Sequence, residues 1–178
     1  MARITRPARA AVKRRNQLKE EFWPDLMPWR GPDETGYFCA PRSLPLVLRA
    51  LGEKAVSGDK NPAPVYVELL SRHLGQGVIE MSHEEDHAFA SGYSTGRATR
   101  TWKDRMKVLE DAGFIRFSSG GLRKYGLVFM VHPSIAMKQL HDDGKINDQL
   151  WEAYRTRQIE SLEPSVEELL GKAESIDT

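Results

Sequence analysis

Residues 94–131 read STGRATRTWKDRMKVLEDAGFIRFSSGGLRKYGLVFMV, and their periodicities decide the fold. Ala98, Trp102, Met106 and Leu109 recur at spacings of three and four, which predicts a helix over residues 97–112 with those side chains on its packed face. Arg97, Arg100, Asp104 and Lys107 fall on the opposite face, where Asp104 and Lys107 could form an ion pair. Gly113 follows where a helix needs a left-handed residue to end it. Residues 114–117 and 125–131 are rich in aromatic and aliphatic side chains and flank Ser118-Ser119-Gly120-Gly121, which predicts strand, turn and strand. Phe114, Phe117, Tyr125, Leu127 and Phe129 are expected in the sheet and core rather than at a ligand.

Upstream, residues 65–74 read as a helix opened by Pro64, residues 78–81 as a short strand after Gly75 and Gly77, and residues 83–91 as a second helix. The run Val108-Leu109-Glu110-Asp111-Ala112-Gly113-Phe114-Ile115 resembles the end of the recognition helix in the winged helix-turn-helix superfamily. The ordered elements around it extend that resemblance over about half the chain. Trp102 stands where that pattern has a small aliphatic residue. The expected class is therefore mainly α with a small antiparallel β-sheet. It comprises a basic arm and extended strap over residues 1–35, a winged-helix domain over 36–133 and a C-terminal helical extension with an acidic tail over 134–178.

A winged helix points to double-stranded DNA. Arg97 and Arg100, with Lys103 and Lys107, are placed to reach phosphates and base edges in the major groove, where arginine pairs with guanine N7 and O6 in bidentate fashion. Ser94 and Thr95 offer hydroxyls for helix capping or phosphate contact. In the hairpin, the small Ser118 and Ser119 allow close approach, and Arg123 and Lys124 lie just beyond the tip; the bland alternative is a polar hairpin with charges guarding a sheet edge.

The formal net charge of +1 conceals opposed ends. Seven cations and no acid precede Glu20, whereas ten acids face four cations from Asp142 onward. Between Arg97 and Lys124 eight Lys or Arg residues face three acids. The N-terminal series is read as a mobile arm over residues 1–15 that tracks phosphates or enters an A·T-rich minor groove, and residues 17–33, with Phe22, Trp23, Trp29 and three prolines, as an extended strap.

At 178 residues and 40% hydrophobic composition the chain can bury a core. Cys39 is its single cysteine, so neither an internal disulfide nor a cysteine-based zinc site can form. No apolar run suits a membrane span or a secretory signal, and the low serine content of the arginine-rich start argues against an organellar transit peptide. A cytoplasmic protein without membrane contact is expected.

Ser43 to Val56 reads as one helix with Pro45 in its first turn. After Pro133 another helix begins at Ser134, and Ile146, Leu150, Tyr154 and Leu162 continue an apolar stripe. That stripe could fold back on its own chain or form a homodimer through the C-terminal helices. Beyond Pro164-Ser165 the acidic tail is expected to be frayed or partly helical.

His83-Glu84-Glu85-Asp86-His87 matches the H-E-x-x-H string of zinc hydrolases, in which Glu84 would act as general base. Ser82 and Glu85 explain the same residues as a capping box, without metal. The resulting expectation is sequence-specific binding of double-stranded DNA, by a transcriptional regulator or by a replication or maintenance factor of a plasmid or other mobile element. Neither catalysis nor a cofactor or metal is expected. The alternatives are a protein-binding adaptor built on the winged helix and the zinc hydrolase.

Overall fold

The computed structural model describes residues 6–22, 24, 38–72, 77–118 and 125–174. The chain divides into two units, Met1–Tyr37 and Phe38–Thr178.

In the first unit, α1 is a 17-residue helix over Arg6–Phe22. The expectation of an extended arm and strap is corrected over these residues. Ala, Arg, Lys, Gln, Leu and Glu, all good helix formers, dominate the segment, and Pro7 sits in the first turn, where it removes no needed donor. The strap expected around Trp23 and Trp29 lies outside the described residues.

The second unit runs α2 (Leu44–Gly52), α3 (Lys54–Ser57), α4 (Ala63–Arg72), β1 (Val78–Glu80), α5 (Glu84–Ala90), α6 (Ala98–Asp111), β2 (Ile115–Ser118), β3 (Leu127–Met130), α7 (Pro133–Asp142), α8 (Asp148–Ser161) and α9 (Val166–Glu174). The helix expected over 43–56 is broken at Glu53, whose extended backbone caps α2 and starts α3. The three strands form one antiparallel sheet in the order β1-β3-β2. Val78 is opposite Phe129 on one side of β3, and Arg116 is opposite the same Phe129 on the other.

Helix α6 buries Trp102, Met106 and Leu109, the stripe expected from their spacing. It ends in a Schellman cap. Gly113 adopts φ +81°, its N–H donates to Glu110 O at 3.0 Å, and the Phe114 N–H donates to Leu109 O at 3.0 Å. That turn delivers Phe114 and Ile115, both fully buried, into the core as β2 begins.

Val47 and Leu51 of α2, Val65, Tyr66 and Leu69 of α4, Trp102, Met106 and Leu109, and Val128 of β3 form one hydrophobic cluster. Ala136, Met137, Leu140, Ile146, Leu150 and Tyr154 belong to it too. The segment expected as a C-terminal extension thus shares the core of the second unit. Ile146, Leu150 and Tyr154 are used up inside the chain, and of the expected stripe only Leu162, 87% exposed, faces outward. The periodicity identified a packing face, and that face packs on its own chain; a homodimer through this stripe loses its basis.

Polar contacts close the same region. Ser43, which caps α2, donates from its backbone N–H to Glu163 Oε1 at 3.0 Å and from its Oγ to Glu163 Oε2 at 2.5 Å. Gln158 Nε2 donates to Ser134 Oγ at 2.7 Å and to Pro164 O at 3.1 Å. The acidic tail is helical as far as Glu174, because a reciprocal capping box starts α9. The Glu168 N–H donates to Ser165 Oγ at 3.2 Å and the Ser165 N–H to Glu168 Oε2 at 3.0 Å.

Candidate nucleic-acid interface

Helix α6 crosses from core to solvent within its own width. Trp102 is fully buried, and its ring stacks on His87 of α5 at 5.9 Å and meets Tyr125 edge-on at 5.6 Å. These contacts fix the rotation of α6 and send the opposite face outward. Arg97, which caps the helix, and Arg100, in its first turn, are both exposed. Among the described residues no carboxylate comes within ion-pair distance of either.

The lysines differ. Lys103 Nζ lies 2.6 Å from Glu84 Oε2, at the start of α5. Lys107 Nζ lies 2.5 Å from Asp111 Oδ1 and 3.8 Å from Glu110 Oε2. The hydrogen bond to Asp111 raises the Lys107 pKa above the ordinary lysine value. The expected Asp104–Lys107 pair is not formed, since Asp104 instead faces Lys60 at 3.5 Å. Two of the four cations singled out on this helix are thus committed to acids, and the uncommitted charge is concentrated at Arg97 and Arg100.

Ser94 and Thr95 are exposed, but the cap position belongs to Arg97. Thr95 contributes its carbonyl, which accepts the Ala98 N–H at 2.8 Å. Its hydroxyl and that of Ser94 therefore are not the α6 N-cap. Ser118 ends β2 and is exposed, opposite Leu127. Ser119, Arg123 and Lys124 lie outside the described residues. Phe114 and Tyr125 are core residues and Phe117 packs on Tyr125 at 4.8 Å, as expected, but Phe129 is 49% exposed because its β3 position points away from the helices.

Beside this face is an open cleft of about 520 Å³ lined by His83, Glu84, Glu85, Asp86 and Thr99. Glu84, Glu85 and Asp86 give this cleft a negative lining, with Glu84 also paired to Lys103.

The two histidines of the H-E-x-x-H string stand in different surroundings, His83 at the cleft and His87 in the core. His83 is the N-cap residue of α5, with an extended backbone at φ −129° and ψ 103°; its carbonyl accepts the His87 N–H at 3.2 Å and its side chain lines the cleft. His87 is 1% exposed, with Nδ1 2.9 Å from Glu68 Oε1. No group of three or more His, Cys, Asp or Glu side chains able to hold a metal occurs among the described residues. The capping box expected from Ser82 and Glu85 is also corrected. With His83 at the cap, Glu85 is the second helical residue, whereas the box needs it third, and no side chain caps α5 from His83.

Three features of the site escape the sequence reading. They are the Lys103–Glu84 pair, the buried Glu68–His87 pair under α6, and the Arg105 guanidinium 5.9 Å over the Tyr93 ring in the turn before α6. Each joins residues from different elements, which periodicity along one helix does not reveal. No family model, curated protein or solved structure matches the chain.

Proposed function

We propose that the second unit is a winged helix-turn-helix that binds double-stranded DNA, with α4, α5 and α6 as its three helices and β2 and β3 as its wing. The order α4, β1, α5, α6, β2, β3 and the strand order β1-β3-β2 support this reading. The observation that carries it is the pair of exposed arginines at the start of α6, on the face opposite the buried Trp102 and without carboxylate partners among the described residues. Arg97 and Arg100 read base edges in the major groove, while Lys103 and Lys107, already paired with acids, contribute less. Ser94, Thr95 and the wing residues Ser118, Ser119, Arg123 and Lys124 position the domain on phosphates. In the cell this activity belongs to a transcriptional regulator or to a replication or maintenance factor of a mobile element.

Replacing either arginine with alanine is expected to weaken binding to a preferred duplex by about 1–3 kcal/mol, which is about 5- to 150-fold in affinity. Both side chains are exposed, so circular dichroism should not change. Fluorescence anisotropy with a preferred and a shuffled duplex is the check. An Arg97→Ala/Arg100→Ala variant with unchanged affinity and unchanged preference would remove α6 as the reading element.

A further inference from the structure

Helix α1 presents a continuous exposed stretch along its middle. Residues 13–18 are all exposed, and six consecutive positions exceed one helical turn, so no face is buried over that stretch. Its charges also run against the backbone dipole. The first turn holds Arg6 and Arg9 and no acid, Glu20 and Glu21 sit exposed at the C-terminal end, and Lys13, Arg14 and Arg15 occupy the centre of the helix. A polyanion laid along the helix from its first turn to its centre would offset that repulsion.

The distribution of charge selects the kind of polyanion. Lys13, Arg14 and Arg15 are consecutive and exposed, so they fan over about 200° of the helix surface. A membrane plane favours cations on one face and a broad apolar face opposite. A fan of cations instead suits a groove with phosphates on both walls. A helix with side chains is about 10–12 Å across, which matches the roughly 12 Å major groove of B-form DNA and exceeds its roughly 6 Å minor groove. The deep, narrow major groove of A-form RNA excludes it.

We propose that α1 is a second DNA-contacting element, which enters the major groove of a B-form duplex as a helix and is held by Lys13, Arg14 and Arg15 on phosphates. The inference rests on the reading of the chain as a duplex-DNA binder. It replaces a mobile arm that tracks phosphates or enters the minor groove with a helix in the major groove.

The test is a salt titration of duplex binding by the full chain and by Lys13→Gln/Arg14→Gln/Arg15→Gln, in which glutamine keeps helix propensity and removes charge. The log-log slope should flatten by about 2–3, since each phosphate contact contributes about 0.9, while preference for the selected over the shuffled duplex survives. Arg14→Lys/Arg15→Lys should restore the wild-type slope, because a phosphate contact needs charge more than fork geometry. An unchanged slope in the glutamine variant would overturn the proposal, as would equal loss of binding to double-stranded RNA or to vesicles of anionic phospholipid. Arg97→Ala/Arg100→Ala separates this result from the α6 reading. If that variant keeps its sequence preference while the glutamine variant flattens the slope, the α6 reading falls and the α1 assignment stands.

Discussion

Truncation of Trp102 to alanine is expected to lower the stability of the second unit by about 3–5 kcal/mol, the range for emptying a large aromatic site in a packed core. The side chain is fully buried at the middle of α6, between His87 and Tyr125. Its loss leaves a cavity at the point where α5, α6 and the start of β3 meet, so duplex binding should fall with stability. Trp102→Phe should cost much less. Among the described residues the indole Nε1 has no hydrogen-bond partner, so phenylalanine removes an unsatisfied donor along with part of the apolar area. Urea denaturation of the three proteins with a common m-value gives the comparison. A loss below about 1 kcal/mol for Trp102→Ala, the size of an average substitution, would show that α6 is not held by this side chain.

The second large effect is expected at His87. Its imidazole is 1% exposed, Nδ1 hydrogen-bonds Glu68 Oε1 at 2.9 Å, and Glu68 is itself 6% exposed. Arg72 Nε donates to the same oxygen, while among the described residues Glu68 Oε2 is buried without a partner. Replacing His87 with alanine removes one of the two groups that satisfy a buried carboxylate and opens a space beneath Trp102. A loss of about 3–5 kcal/mol is expected, the range for removing one member of a buried pair. Replacing both residues, in Glu68→Leu/His87→Leu, should recover much of that loss, because no stranded polar group remains. The double-mutant cycle measures the coupling directly. Additive losses with no coupling would mean that the pair is incidental to the packing of α4 against α5.

The sequence was most legible where one helix carried the whole signal. Ala98, Trp102, Met106 and Leu109 announced the packed face of α6, and Gly113 announced its end, because both depend on residues within a few positions of one another. The pairing of β2 with β3 followed from the hairpin pattern. Legibility failed where the partner came from elsewhere in the chain. Ile146, Leu150 and Tyr154 defined a face without naming what covers it, and the answer lay in α2 and α7. Lys103 is spaced for the outer face of α6, and its acid, Glu84, stands on another helix, which periodicity along α6 does not reveal.

Two further misreadings have local causes. In α1 dense positive charge, the mark of a solvated arm, coincides with residues that are nearly all helix formers. The S-x-x-E pattern occurs at both Ser82 and Ser165, and only the second becomes a reciprocal cap, because α5 begins one residue later than the first would require.

The proposal that this chain reads duplex DNA is tested most directly by selecting bound duplexes from a random pool with the full protein, followed by binding measurements across a salt series. The account predicts enrichment of a common motif that includes guanine positions, affinity that falls steeply with salt, and loss of the motif preference in Arg97→Ala/Arg100→Ala. An unenriched pool, or binding indifferent to salt, would contradict it.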